Sequence, residues 1–411
     1  MCRRFESVSR HFFKRKSNSG LIFAFLFFAL RRYLRAAVLS TLGAMVPLFD
    51  LTRQYQLLKP ELEPVVLAQL ESGGYVLGSV VEEFEVMCAR EVGVAHTVGV
   101  ANGTDALQIA LRALGLQAGD EVITTPFSFY SAAEVVADLG AVPVFVDIEP
   151  DTFNIDPQAV EAAITPRTRA LIPVHIFGLP ANMEALRAIA RQHDLFIVED
   201  CAQAWGATSG GQSVGSLAEA GTFSFFPTKN LGACGEGGLI STNDAGVAEK
   251  CRQLRVHGQS RRYFYDEIGY NSRLHTLQAA ILRVKLPHAR EWNTSRRRHA
   301  AHYTQLLART PFQTPFETPD ACHVYHQYTL RVPAEVGRER VMKTLGEREI
   351  GHAIYYPHPL HLQPVFAGLG YKVGSLPHAE RACEEVLSLP IFPELRPDEV
   401  ELVASALKSI L

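Results

Sequence analysis

The sequence predicts an α/β fold in which helices cover both faces of a mostly parallel β-sheet. From Asp50 onward, short apolar runs alternate with longer segments that carry apolar residues at helical spacing, which is typical of parallel sheets buried on both faces. The chain has 411 residues, of which 47% are hydrophobic and 20% are charged. This length and composition allow a large core and a second, smaller lobe.

Helix start signals occur at four places in the first half of the chain. Ser79–Glu82 has the spacing of a capping box, which predicts a helix there. The tetrapeptide NGTD (Asn102–Asp105) opens a helix that Gly115 ends, another begins at about Ser131, and Asp156-Pro157 begins a further one.

Apolar runs between these helices are predicted to form the strands of the sheet, and a helix over Ala181–His193 separates two of them. The predicted strands are EVITT (Glu121–Thr125), VPVFVD (Val142–Asp147), ALIPVHI (Ala170–Ile176), LFIVED (Leu195–Asp200), TFSFF (222–226) and GLIST (238–242).

The last third of the chain has a different pattern. His275–Arg309 is predicted to form one long helical region bent near Pro287. A strand at HQYTLRV, a helix over Arg338–Arg348 and a strand at AIYY (353–356) then indicate a smaller α+β part. We therefore expect a large domain over residues 45–285, and a long helix with a small C-terminal domain over residues 286–411.

Residues 1–44 differ from the rest in charge. They contain nine basic residues and one acidic residue, whereas the remainder carries a net charge of −11. The apolar run LIFAFLFFAL (Leu21–Leu30) is shorter than the roughly 20 residues that a membrane-spanning helix needs. A non-native or disordered extension arising from a wrong start codon, a membrane-surface anchor and, less favoured, an export signal remain open for this segment.

Overall charge and cysteine usage exclude several classes of function. The net charge of −3 does not indicate a nucleic-acid partner. The seven cysteines are scattered and form no CxxC pair, so we expect neither a metal site nor a disulfide framework. This pattern favours a reducing compartment, the cytoplasm.

Three features at predicted strand ends carry the chemistry. NGTD begins a helix, whose free N–H groups can bind an anion. Asp200 ends an apolar strand, where a buried carboxylate needs a partner. Lys229 follows TFSFF and precedes a glycine-rich loop. Each feature alone has a structural explanation, but together they fit pyridoxal 5′-phosphate, which needs a phosphate site, an acidic partner for its ring nitrogen and a lysine amine for its aldehyde.

Longer stretches of the sequence then identify a family. They include GVANGTDALQIAL, GAVPVFVDIEPDTFNID, IPVHIFGLPANM, VEDCAQAWGA, FSFFPTKNLGACGEGG, GYNSRLHTLQAAILRVKL and YYPHPLHLQPVF, and the matches extend from Met45 to the end of the chain. The sequence resembles the DegT/StrS-type sugar-nucleotide aminotransferases, within the fold-type-I pyridoxal phosphate enzymes. The resemblance implies an aspartate-aminotransferase-like fold with a mostly parallel seven-stranded sheet and a smaller C-terminal α+β domain.

The resemblance also implies roles for individual residues. Lys229 would form the covalent link to the cofactor and carry protons, Asp200 would bind the ring nitrogen, and Gln203 would lie near the phenolic oxygen. The other implied cofactor contacts are Gly103, Thr104 and Ser224 at the phosphate, Phe129 on the ring, and Asn271 reaching the phosphate from the neighbouring subunit. Arg273, Tyr355 and Tyr356 match positions that touch the nucleotide-sugar. Trp205 replaces a histidine of many relatives, which leaves the local pocket shape open.

The implied activity is transfer of an amino group, with glutamate as the expected donor, to a keto group of a dTDP- or UDP-linked deoxysugar. The product would serve cell-surface polysaccharide, such as lipopolysaccharide, or glycosylated metabolites. The implied assembly is a homodimer with shared active sites and no stable membrane span. A sugar dehydratase on the same fold, in which histidine replaces the lysine, and a non-catalytic regulatory protein are the alternatives.

Overall fold

The computed structural model describes residues 46–411, in which helices and strands alternate as the sequence predicts. The strands are β1 (His96–Val100), β2 (Glu121–Thr124), β3 (Val142–Phe145), β4 (Thr168–Ile172), β5 (Phe196–Asp200), β6 (Thr208–Ser209), β7 (Gln212–Ser213), β8 (Ala220–Ser224), β9 (Gly238–Thr242), β10 (Gln259–Arg261), β11 (Phe264–Tyr265), β12 (Ala321–Cys322), β13 (Tyr328–Arg331) and β14 (Val386–Leu389). The predictions made for residues 1–44 lie outside the described residues.

The helices follow the same order along the chain. They are α1 (Leu51–Ser72), α2 (Ser79–Val92), α3 (Gly103–Ala113), α4 (Ser131–Asp138), α5 (Pro157–Ala162), α6 (Met183–His193), α7 (Ala245–Leu254), α8 (Thr276–Lys285), α9 (Ala289–Leu307), α10 (Arg338–Glu347), α11 (Pro377–Glu385) and α12 (Pro397–Lys408). A 3₁₀ turn at Leu286–His288 joins α8 to α9, at the position where Pro287 is predicted to bend the helical region.

The central sheet has seven strands in the order β1-β9-β8-β5-β4-β2-β3. The pairs among β8, β5, β4, β2 and β3 are parallel, whereas β9 is antiparallel to both β1 and β8. The predicted mostly parallel seven-stranded sheet is therefore confirmed. Because β9 runs in the opposite sense, its first residue, Gly238, pairs with the last residues of both β1 and β8, Val100 and Ser224.

Helices bury both faces of this sheet, and successive strand residues point to opposite sides. Ile123 and Ile197 join one buried cluster with residues of α2, α6 and α8. Their neighbours Val122 and Val198 join the other cluster with residues of α3, α4 and α7. Each such side chain contributes about 1.5–3 kcal/mol of burial free energy, so the two clusters hold the edge of the sheet in a fixed shape.

A third buried cluster belongs to the C-terminal part of the chain. It combines residues of α9, α10 and α12 with the antiparallel pair β13–β14, and it includes Val46. The domain boundary between residues 285 and 286 stays a prediction.

Two local predictions are wrong. α2 begins at Ser79, but its cap is Gly78, whose φ of 86° only glycine adopts easily, and no side chain caps the helix. The segment AIYY is not a strand, since only Ala353 forms a β-bridge, with Ser388. The chain then leaves β14, and Tyr356 instead accepts a hydrogen bond from Gln203.

We expect a chain that starts at Met45 to fold and melt like the full chain, because the matching stretches begin there. A chain that starts at Asp50 should lose about 2–4 kcal/mol of unfolding free energy. It would lack the buried Val46, which donates to the Glu349 carbonyl at 3.2 Å and accepts from the Gly351 N–H at 2.7 Å. Urea unfolding of the three chains measures both effects. Equal loss in the two truncated chains would show that residues 1–44 contribute to folding.

Candidate active site

Polar residues gather at the edge of the sheet where its parallel strands end. Asp200 ends β5, Ser224 ends the adjacent β8, and α3 begins at Gly103 just beyond β1. Lys229 lies on the loop that leaves β8. Open α/β sheets bind ligands at this carboxyl edge, and the structure brings these four predicted site residues together there.

Two glycines allow the backbone segments at this edge to approach closely. A Cβ atom on Gly103 would lie 2.8 Å from Cβ of Ser224, and one on Gly238 would lie 2.2 Å from the carbonyl oxygen of Asn102. The glycine-rich loop after Lys229 therefore serves a packing requirement, because its last glycine starts β9 directly beneath the first turn of α3.

The first turn of α3 is suited to bind a phosphate. The Asn102 side chain accepts the Asp105 N–H at 2.9 Å, as a helix cap should. The N–H groups of Gly103 and Thr104 have no acceptor within the helix, and the hydroxyl of Ser224 lies against Gly103. Backbone donors, a hydroxyl and the positive end of an eleven-residue helix form a cradle for an anion.

Asp200 and Lys229 form an electrostatically coupled pair. Asp200 is buried, and burial raises the pKa of its carboxyl, while the Ala202 N–H at 3.0 Å and the Lys229 cation oppose this rise. Burial lowers the pKa of Lys229 to about 8, and the Asp200 carboxylate opposes that fall. An amine with this pKa is partly neutral near neutral pH, so Lys229 can act as a nucleophile and a base.

A chain of amides holds the residue that follows Lys229. The Asn293 amide donates to the Trp205 carbonyl at 2.8 Å and accepts from Asn230 at 2.7 Å. The Asn230 oxygen consequently faces His326, whose Nδ1 lies 3.2 Å away and carries the hydrogen. Burial, and then the Lys229 cation, lower the pKa of His326 well below its ordinary value, so its ring is neutral. No sequence pattern predicted this network, because its members lie far apart along the chain.

Both oxygens of Glu199, the buried residue that precedes Asp200 on β5, accept hydrogen bonds. Glu199 accepts N–H groups from Gly215 at 2.9 Å and Leu217 at 2.8 Å, and its Oε2 lies 3.1 Å from Nε2 of His175. The other ring nitrogen of His175 accepts the Ala181 N–H at 3.0 Å, so Nε2 carries the hydrogen that Glu199 accepts. These bonds offset the large cost of burying a charge and fix the strand residue next to Asp200. His175 and Glu199 lie in two of the stretches that match the family, IPVHIFGLPANM and VEDCAQAWGA. Neither residue was predicted to have a role.

Gln203 and Tyr356 also meet in the structure. The Gln203 amide oxygen accepts the Phe177 N–H at 2.6 Å, and its nitrogen donates to the Tyr356 hydroxyl at 3.0 Å. Burial raises the pKa of Tyr356, and the nearby Asp200 carboxylate adds to this rise. The predicted cofactor and substrate residues are thus in direct contact with each other.

The remaining predicted site residues are more exposed than Asp200. Phe129 is exposed on the loop after β2, and Tyr355 is half-buried with its ring 5.8 Å from that of Tyr356. Arg273 bonds the Asn271 side chain on the loop before α8. In residues 46–411, no side-chain hydrogen bond links this pair to Lys229 or Asp200.

The described residues fit pyridoxal 5′-phosphate. A cradle for its phosphate, a buried carboxylate for its ring nitrogen and a lysine of lowered pKa lie at one sheet edge. A separate cavity of about 860 Å³, lined by Arg187, Asp151 and Phe316 among others, contains none of these groups.

The family model for the DegT/DnrJ/EryC1/StrS aminotransferases matches residues 57–408. A pleiotropic regulatory protein of Geobacillus stearothermophilus is 52% identical over 87% of this chain and 96% of its own length. A UDP-N-acetyl-3-dehydro-alpha-D-glucosamine 3-aminotransferase of Acidithiobacillus ferrooxidans is 44% identical over 90% of this chain and 99% of its own. The crystal structure of S. venezuelae DesV superposes with a TM-score of 0.87 at 43% identity, covering 89% of this chain and 98% of DesV.

We expect the rate at which pyridoxal phosphate attaches to cofactor-free protein to rise with pH through a midpoint near 8, because the neutral amine is the nucleophile and the pKa of Lys229 is about 8. Stopped-flow visible absorbance measures this rate, and Lys229→Ala is the control that should show no such phase. A midpoint near 10.5, the ordinary pKa of lysine, would contradict the lowered value.

Proposed function

Because this chain belongs to the DegT/DnrJ/EryC1/StrS aminotransferase family, we propose that it transfers an amino group from glutamate to a keto group of a nucleotide-linked sugar. It is a pyridoxal 5′-phosphate-dependent aminotransferase. The observation that carries the proposal is the electrostatic pairing of the buried Asp200 with the half-buried Lys229 at the carboxyl edge of the sheet.

The residues divide the work of the reaction by position. When bound, pyridoxal phosphate supplies an aldehyde that exchanges amines and a ring that accepts the electrons of a broken C–H bond. Asp200 would keep the ring nitrogen protonated, and the first turn of α3 with Ser224 would hold the phosphate. Lys229 would take the proton from the amino donor's α-carbon and return it to the cofactor's carbon, since its lowered pKa suits both steps. Phe129 would cover one face of the ring.

We further propose that the keto group is at carbon 3 of the sugar. The A. ferrooxidans relative is named for a sugar on UDP with its keto group at carbon 3. For the nucleotide, the family resemblance admits dTDP as well as UDP. Arg273 and Tyr355 would contact this substrate. The amino sugar would enter cell-surface polysaccharide, such as lipopolysaccharide, or a glycosylated metabolite.

A panel of UDP- and dTDP-linked sugars, with the keto group at carbon 3 or carbon 4, tests the substrate directly. Each sugar is incubated with holoenzyme and glutamate, and the amino sugar is identified by mass. Product only from 4-keto sugars would reject the proposed position, and no product from any sugar would reject the substrate class.

The two alternatives make different predictions about position 229. A dehydratase of this fold carries histidine there, whereas this chain has lysine. One similar protein is named as a regulatory protein, but a chain that had lost turnover would have no need to keep Lys229, Asp200 and Gln203 together. The residue set therefore favours an aminotransferase.

We place the reaction in the cytoplasm. The six cysteines among residues 46–411 are free, which suits a reducing compartment. In this same range, every helix is too short or too polar to cross a bilayer.

We propose that the active unit is a homodimer. α1 exposes Leu57 and Leu67, and the β10–β11 hairpin with the residues after it exposes Tyr263, Phe264 and Ile268. Exposed apolar residues in such number favour a protein partner, and a second copy of this chain is the simplest one.

The loop that follows the hairpin would bring a group to the other active site. It carries Asn271, which is exposed, while Ser272 beside it is buried and its hydroxyl accepts the Ala101 N–H at 3.2 Å. The loop is therefore anchored next to the phosphate cradle of its own chain. Asn271 of the partner subunit would reach the phosphate across the interface.

Lys229→Ala should reduce conversion of glutamate to 2-oxoglutarate by at least about 10²-fold, since it removes the proton carrier. Asp200→Asn should still bind some cofactor, but its rate of glutamate conversion should fall by about 10²–10³-fold, because a neutral amide cannot hold the ring nitrogen protonated. Single-turnover absorbance measures both rates. Near-normal rates in either variant would refute the role given to that residue.

Subunit mixing tests the shared site. A heterodimer of Lys229→Ala and Asn271→Ala subunits has one site with both defects and one intact site if Asn271 crosses the interface. We expect up to about half of the wild-type activity per heterodimer. If Asn271 serves only its own subunit, both sites stay defective. Activity no higher than the sum of the separate variants, with subunit exchange verified by mass, would exclude the shared site.

A further inference from the structure

The amide of Gln203 is held in one orientation by groups from two distant segments. Its oxygen accepts the Phe177 N–H at 2.6 Å, and its nitrogen donates to the Tyr356 hydroxyl at 3.0 Å. A backbone N–H can only donate, so the atom that faces Phe177 must be the oxygen. The NH₂ group therefore faces Tyr356, with one hydrogen in that bond and the other left for a ligand.

The turn that carries Phe177 is built to aim its N–H at Gln203. Phe177 is buried and has a φ of 58°, which non-glycine residues rarely adopt. Gly178 follows with a φ of 96°, and a Cβ atom there would lie 3.0 Å from the Gln203 carbonyl oxygen and 2.9 Å from Val324. Packing thus holds the strained turn in place.

Tyr356 is held as firmly on the other side of Gln203. Its ring packs edge-on against the buried Phe127, with ring centroids 6.3 Å apart. Its segment is tied down before it by the bridge between Ala353 and Ser388, and after it by the Leu360 N–H, which donates to the Pro126 carbonyl at 2.8 Å. The hydroxyl stays protonated, since burial raises the pKa of Tyr356.

We propose that Tyr356 is a positioning residue for the cofactor: it occupies one hydrogen of the Gln203 amide and so directs the other to the cofactor's phenolic oxygen. This proposal rests on the proposed function. It differs from the sequence prediction, in which Tyr356 touches the nucleotide-sugar, because here its oxygen is bonded to Gln203. Through its bond to Gln203, Tyr356 affects the cofactor's phenolic oxygen without contacting it.

The chemical consequence is a change in the pKa of the nitrogen that links Lys229 to the cofactor. A hydrogen bond to the phenolic oxygen draws negative charge away from that nitrogen, and so lowers its pKa. Removing the Tyr356 hydroxyl lets the Gln203 amide rotate and weakens the bond. The pKa of the link should then rise.

A pH titration of the visible absorbance of the full-length holoenzyme measures this pKa without turnover. Tyr356→Phe keeps the ring against Phe127 and should raise the midpoint by about half to one pH unit, a fraction of what a hydrogen bond to a charged group contributes. Tyr355→Phe is the matched control and should leave the midpoint unchanged, because that hydroxyl does not bond Gln203. An unchanged midpoint in Tyr356→Phe would overturn the proposal.

A double-mutant cycle separates positioning from direct contact. Gln203→Leu should raise the midpoint at least as far as Tyr356→Phe, and adding Tyr356→Phe to it should have no further effect. A second full shift in the double variant would mean that Tyr356 acts on the cofactor itself, which would overturn the proposal. Gln203→Met, which keeps the side-chain length but cannot donate, serves the same purpose if the leucine variant binds cofactor poorly.

These outcomes are distinct from failure of the proposed function. If the pyridoxal phosphate site were elsewhere, Lys229→Ala would keep the visible band and none of the Gln203 variants would move it. If only the role of Tyr356 is wrong, Lys229→Ala abolishes the band and Gln203→Leu alone shifts the midpoint.

Discussion

The rest of the site depends on one electrostatic pair, in which the half-buried amine of Lys229 lies near the buried carboxylate of Asp200. Either group alone would be costly in this setting. Together they lower each other's cost, yet burial still brings the pKa of Lys229 to about 8 and raises the pKa of Asp200. Pyridoxal phosphate chemistry needs a lysine that is partly neutral. It also needs a carboxylate that can pair with the protonated ring nitrogen of the cofactor.

Several independent supports hold this pair in place. Glu199, the strand neighbour of Asp200, is fixed by two backbone N–H groups and His175. Asn230, the neighbour of Lys229, is fixed through Asn293. Glu199 belongs to the central sheet and Asn293 to α9, while His326, which also bonds Asn230, lies just before β13. The C-terminal third of the chain therefore shapes a site whose main groups all lie in the first 230 residues.

The sequence revealed those groups whose neighbours along the chain are unusual. A charge at the end of an apolar strand identified Asp200, and a lysine between an aromatic run and glycines identified Lys229. Contacts between distant segments left no such signal: Gln203 and Tyr356 are 153 positions apart, and Asn230 and His326 are 96 apart. AIYY looks like a strand because apolar and aromatic residues favour one, but side-chain bonds direct it elsewhere. α1 went unpredicted because Pro60 and Pro64 lie inside it.

The central claim is that Lys229 is the residue that carries the cofactor. Borohydride reduction of the holoenzyme, followed by peptide mass analysis, tests it most directly, because reduction makes the link permanent. We expect the added mass on the peptide that contains FSFFPTKNLGACGEGG, at Lys229. Lys285 is the natural comparison, since it is buried and also has a lowered pKa, but it donates to the Gly232 carbonyl at 2.8 Å. A label on Lys285 or any other lysine, in place of Lys229, would contradict the assignment.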